Sequence, residues 1–128
     1  MRGVKIFVVV LGLMCLFGVV GVSGGQDLQE GNYDIRFEPT ARLQTGVQIP
    51  FQIAVHDSLR KPLVDAKVTL QVETADHQKA VTFKAPAVDQ GVYLAKPVFP
   101  SAGQWSVLVE VHRGDKVSAR TIEYSVPN

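Results

Sequence analysis

Val47-Gln48-Ile49-Pro50-Phe51-Gln52-Ile53-Ala54-Val55-His56 decides the fold of this chain. Val47, Ile49, Phe51, Ile53 and Val55 fall on one parity; Gln48, Pro50, Gln52, Ala54 and His56 fall on the other. Successive side chains of a strand point to opposite faces, so this spacing fits a half-buried β-strand and not a helix.

The same period extends outward in both directions. Upstream, Tyr33, Ile35 and Phe37 make a shorter run. Downstream, Ala66, Val68, Leu70 and Val72 alternate with Lys67, Thr69, Gln71 and Glu73, and Trp105, Val107, Val109 and Val111 alternate with Gln104, Ser106, Leu108, Glu110 and His112. Ile122, Tyr124 and Val126 share one face of a last strand. Turn formers separate the runs: Asp57-Ser58-Leu59-Arg60-Lys61-Pro62, Asp76-His77-Gln78-Lys79 before Val81 and Phe83, Asp89-Gln90-Gly91 before Val92-Tyr93-Leu94-Ala95, Pro100-Ser101-Ala102-Gly103, and Arg113-Gly114-Asp115 as a tight hairpin. Gly, Asp and Ser tolerate or cap unusual turn geometry and Pro pre-sets φ, so these stretches read as connections. About seven short strands spaced by roughly ten residues predict an all-β, antiparallel sandwich, with Trp105 its largest core side chain.

The amino end is different. Arg2 and Lys5 precede seventeen uncharged residues, Ile6 to Val22, followed by Ser23, Gly24 and Gly25 and then the polar Gln26-Asp27-Leu28-Gln29-Glu30. A cationic start, an apolar stretch and small residues are the order of a secretory signal peptide. Residues 1–25 are therefore read as a signal peptide or an N-terminal membrane anchor, and residues 26–128 as one domain. Seventeen residues reach the lower limit for spanning a bilayer, while Gly12, Gly18 and Gly21 weaken a helix there. Membrane contact then runs through residues 6–22 if the segment is retained, and under either reading the domain is extracytoplasmic, periplasmic or secreted. Cys15, followed by apolar Leu16 to Val22, does not open a polar mature chain as a lipidated cysteine would.

Without residues 1–25 the chain keeps eleven basic and twelve acidic residues and no cysteine. That balance gives no footprint for nucleic acid and no polybasic patch for anionic lipid. It also leaves no disulfide and no thiolate nucleophile or metal ligand.

His56, His77 and His112 are the candidate metal ligands. Parity places His56 and His112 on polar faces, and His77 falls in a turn; no pair has the spacing of a local metal motif. They read as solvated surface histidines, and a weak Cu(II) or Zn(II) site would need one of them with Asp57 or Asp76. The neighbours His56, Asp57 and Ser58 are triad residue types, but adjacent residues at a strand end point in different directions. No G-x-S-x-G, H-E-x-x-H or phosphate-cradling glycine loop occurs. The expectation is a protein that is not an enzyme, with no catalytic residues and no cofactor. Tyr93 and Phe99 carry two readings: turn anchors at the core edge, or a contact patch for a partner protein.

Pro62-Leu63-Val64-Asp65-Ala66-Lys67-Val68, Gly91-Val92-Tyr93-Leu94-Ala95 and Phe99-Pro100-Ser101-Ala102-Gly103-Gln104-Trp105-Ser106-Val107, in that order and spacing, resemble the YtkA-like domain and its FixH-like relatives of bacterial envelopes. The resemblance covers roughly Leu43 to Val111. It implies an exported or membrane-anchored, immunoglobulin-like β-sandwich. Its FixH-like relatives imply a role in assembling copper-containing respiratory oxidases, and members with a Met-rich central hairpin offer soft ligands for Cu(I). Here that hairpin reads Val72-Glu73-Thr74-Ala75-Asp76-His77-Gln78-Lys79-Ala80-Val81, without methionine, and both methionines of the chain are Met1 and Met14. The leading expectation is a binding module that assists another envelope or membrane protein; the alternative is FixH-like copper handling or oxidase assembly. Mass spectrometry of the protein recovered from cells separates the two fates of the amino end: cleavage gives a chain beginning at Gly25 or Gln26, and an anchor gives the intact mass.

Overall fold

The computed structural model describes residues 29–128; the signal or anchor segment 1–25, with Cys15, lies outside the described residues. Within them the chain forms nine strands: β1 Gln29–Glu30, β2 Asp34–Pro39, β3 Phe51–His56, β4 Lys67–Thr74, β5 Ala80–Lys84, β6 Ala87–Asp89, β7 Val92–Ala95, β8 Gly103–Arg113 and β9 Lys116–Val126. One sheet has the order β2-β3-β7-β6 and the other β1-β9-β8-β4-β5. Every pairing is antiparallel except β1 on β9. This is the two-sheet order of an immunoglobulin-type sandwich, with β5 as an added edge strand beside β4.

The alternating residues that predict strands also supply the core. Phe51, Ile53 and Val55 of β3 face Val107, Val109 and Val111 of β8 and Leu70 and Val72 of β4 across one continuous apolar layer, and all are fully buried. One end of that layer is aromatic. Phe51 stacks edge-on to Tyr124 of β9 at 5.6 Å and lies 6.3 Å from Phe99, whose ring meets Trp105 edge-on at 5.7 Å. These contacts tie the two sheets together with the geometry that aromatic quadrupoles favour. The buried indole is satisfied, its Nε1–H donating to the Ser101 carbonyl at 2.9 Å.

The structure departs from the sequence reading at several places. The strand read from Val47 starts only at Phe51; Val47 is 42% exposed, and residues 45–49 make isolated bridges and single bonds to the 97–99 segment. Pro50 has no N–H to continue a ladder, which accounts for the late start. The last strand begins at Lys116, six residues before the run Ile122-Tyr124-Val126, because the two-residue turn Gly114-Asp115 closes β8 directly on β9. Gly114 with φ 63° meets the positive-φ requirement of such a hairpin. Strands β1 and β6 were not expected; β6 is exposed throughout and irregularly paired, so it carries no alternation to read.

Tyr93 and Phe99 are buried, at 2% and 0% exposure, so the partner-patch reading of these rings is incorrect. The Tyr93 hydroxyl donates to the Leu63 carbonyl at 2.7 Å and pins the β3–β4 connection to β7, the anchoring role. Gly91 is required nearby: its φ is 71°, and a Cβ there would sit 2.6 Å from Pro62 Cβ. Trp105→Ala should destabilise the domain by about 3–5 kcal/mol in urea unfolding, with the native-state far-ultraviolet spectrum unchanged.

Candidate functional site

The three histidines are not brought to one place. His77 stands in the β4–β5 turn with φ 61°, its ring 3.1 Å from the Glu73 carboxylate. His56 ends β3 and His112 is the last residue but one of β8, at the opposite end of the sandwich and in different sheets, and His112 pairs with Glu110 at 3.2 Å. The aspartates that could join them hold turns together. Asp57 Oδ1 accepts the N–H groups of Leu59 and Lys61 at 2.8 and 2.9 Å. Asp76 Oδ1 accepts the Thr74 hydroxyl at 2.6 Å and the Gln78 N–H at 3.0 Å. The Lys61 amide is the main reason the Asp57 carboxyl sits below its ordinary 3.8, and the Thr74 hydroxyl does the same for Asp76. With the folded value depressed, the carboxylate form that caps each turn is held above pH 3.8 and given up only as pH falls through the lower folded value. Among the described residues, no three His, Cys, Asp or Glu side chains form a metal-holding group.

The flank between β2 and β9 carries an open cleft. It originates in a change of partner. The chain first lies parallel on β9, Gln29 opposite Lys116 and Glu30 opposite Val117, and the Gly31 N–H donates to the Val117 carbonyl at 2.7 Å. It then crosses through Asn32 and Tyr33 to become β2, which pairs with β3 of the other sheet. Ser118 holds the crossing: its buried hydroxyl donates to the Gly31 carbonyl at 2.7 Å and accepts the Tyr33 N–H at 3.3 Å. Glycine suits position 31 because a Cβ there would be 3.0 Å from both Ser118 Oγ and the Tyr33 ring.

Beyond the crossing the two strands diverge, leaving a cleft of about 620 Å³ with Tyr33, Ile35 and Phe37 on one wall and Ala119 and Arg120 on the other. The direction of the backbone groups follows from the neighbouring bonds. Thr40 N–H donates to the Pro50 carbonyl, so even-numbered residues of β2 turn their N–H and C=O to β3 and odd-numbered ones turn theirs to the cleft. The Val117 carbonyl faces β1, so odd-numbered residues of β9 also point outward. Ile35 and Phe37 therefore face Ala119, Thr121 and Glu123 as two unpaired sheet edges.

Charge is set around these edges. Arg120 lies on the same parity as Ser118, Ile122, Tyr124 and Val126, and its guanidinium crosses the cleft to donate to the Ile35 carbonyl at 2.7 Å. Arg36 pairs with Asp34 at 3.1 Å on the exposed surface. Burial pushes the Tyr124 hydroxyl above its ordinary 10, with Arg120 opposing and Glu38 reinforcing the shift. Such an arrangement can receive an extended chain through backbone bonds and a carboxylate through a guanidinium. Gly31, Ser118 and Arg120 escaped the sequence reading. The signal for them was an arginine and a serine on the inward parity of a strand whose other residues there are apolar.

A family model described as YtkA-like matches residues 27–110. No curated protein sequence matches the chain. Among solved structures, one similar chain is the chitinase ChiW from Paenibacillus sp. str. FPU-7, described as a bacterial cell-surface-expressed multi-modular enzyme machinery. The superposition covers 99% of this chain and 11% of that one, with a TM-score of 0.55 and 15% identity. At that identity the likeness shows the fold alone, and the chain spans about a tenth of the enzyme's length.

Ser118→Ala removes both bonds at the crossing and leaves the Tyr33 N–H without its acceptor. It should cost about 1–3 kcal/mol in denaturant unfolding, with the loss of amide protection concentrated in residues 29–37.

Proposed function

The chain belongs to the YtkA-like family, and from that premise we propose that it is an extracytoplasmic, non-enzymatic module that docks an extended segment of another envelope or membrane protein. The observation that carries this reading is the pair of unpaired edges at the β2–β9 cleft, with Arg120 between them. A sheet edge recognises any extended chain through its backbone, and the side chains beside it select which one. The cationic start and apolar stretch before residue 26 support placing the module outside the cytoplasm.

Copper handling rests on the FixH-like resemblance. The separation of His77 from His56 and His112 adds nothing to it, so it is not carried further. A photo-reactive amino acid in place of Arg36 or Thr121, beside the cleft, should capture one discrete envelope protein in intact cells. The same group in place of Gln71, on the outer face of β4, should not. Failure to capture at either cleft position, or an identical set of adducts from all three, would reject the reading.

A further inference from the structure

The two walls of the β2–β9 cleft are unequal as docking edges. On β2 the outward residues are Ile35 and Phe37, and the Ile35 carbonyl already accepts the Arg120 guanidinium at 2.7 Å. On β9 the outward residues Ala119, Thr121 and Glu123 belong to a strand paired without interruption to β8. By alternation each of the three turns both its N–H and its C=O to the cleft. The β1 segment covers β9 only at Lys116 and Val117, and after Gly31 the chain leaves for β2. Among the described residues, the longer run of open backbone groups therefore lies on β9, in line with β1.

A strand laid there meets Arg120 from the side. Neighbouring strands turn matching side chains to the same face, so the residue abreast of Arg120 points its side chain at the guanidinium. A guanidinium carries five N–H donors in a planar fork, and the bond Arg120 makes is to one neutral carbonyl. Among the described residues no carboxylate lies within ion-pair distance of it, whereas Arg36 has Asp34 at 3.1 Å. A carboxylate accepts the fork through two parallel charge-assisted bonds where the Ile35 carbonyl takes one, so it can draw Arg120 off that carbonyl.

Beyond Arg120 the same face changes character. Ile122 and Tyr124, two and four residues along, are half-buried and pack on the core, Tyr124 edge-on to Phe51. Glu38 stands near the Tyr124 hydroxyl, so a carboxylate brought to that end would meet a like charge. The face is cationic at position 120 and apolar at 122 and 124. We propose, on the docking reading of this cleft, that its occupant is an acidic extended segment of the partner, laid along β9 with an Asp or Glu on Arg120 and an apolar side chain two residues away on Ile122.

Selection of random octapeptides displayed on phage, with the full chain as recovered from cells for bait, measures this preference. The wild-type chain should enrich Asp or Glu two residues from an aliphatic or aromatic residue. A synthetic peptide of the enriched sequence should crosslink to a photo-reactive group in place of Thr121. Arg120→Glu should reverse the selected charge to Lys or Arg. Arg120→Gln, which keeps a donor without the charge, should lose the acidic preference and bind the wild-type peptide about 10- to 100-fold more weakly; it carries the comparison alone if the Glu variant does not accumulate. An arginine that only braces β2 would change stability on substitution without changing the sequences selected. Cleft-binding peptides with no acidic preference, or the same sequences from wild type and both variants, would overturn the inference and leave the docking reading standing. No enrichment by the wild type would also overturn it, and the docking reading falls as well only if capture at Arg36 and Thr121 fails in cells.

Discussion

The Ser118 hydroxyl bonds both sides of the place where the first strand leaves β9 for β3, donating to Gly31 and accepting from Tyr33. Apart from the Tyr93 hydroxyl and the Trp105 indole, it is the one polar group on a buried side chain among the described residues, and its two bonds are what make burial tolerable. Without the crossing, the chain would either continue along β9 and close that edge or pair with β3 from its start. The crossing instead divides a single extended run between two sheets. It anchors the chain at one end of the sandwich and leaves two strand edges facing each other across a cleft.

The three open flanks follow from topology but differ in chemistry. At the cleft, Arg120 occupies an inward-parity position that a core would give to an apolar residue, and its guanidinium satisfies one edge carbonyl. That guanidinium sets a positive charge between the two edges, where the side chains beside an edge select which extended chain it takes. On the β6 edge, shortness and a register shift leave little to pair. On β5 the edge is regular and apolar on its core side. An aromatic cluster at the sandwich end, from Phe51 through Phe99 to Trp105, packs the two sheets that carry these edges against each other.

Much of the fold was legible in the sequence because strand parity is a local property. The runs around Ile53, Leu70, Val109 and Tyr124 each declare which face is buried, and the turns at Asp57, His77, Gly91 and Gly114 fall where the residue types place them. What was not legible depends on distant parts of the chain. Val47 follows the alternation but is kept out of the ladder by Pro50. Tyr93 shares its parity with the core across β3, opposite Ile53, a relation that its own four-residue strand cannot reveal. The cleft was invisible for the same reason: Gly31 and Ser118 lie 87 residues apart, and nothing near either announces the other. An arginine on an inward parity was the available clue, and it becomes informative only once the strand is known to lie at an edge.

The account stands on β2 offering alternate amides to β3 and to an empty flank. Residue-resolved hydrogen exchange measures this directly. Arg36 and Glu38 should be protected, while Ile35 and Phe37, which alternate with them, exchange faster by orders of magnitude, although their side chains are buried. Equal protection of all four consecutive amides would mean that a strand already covers this edge, and the open cleft would not exist.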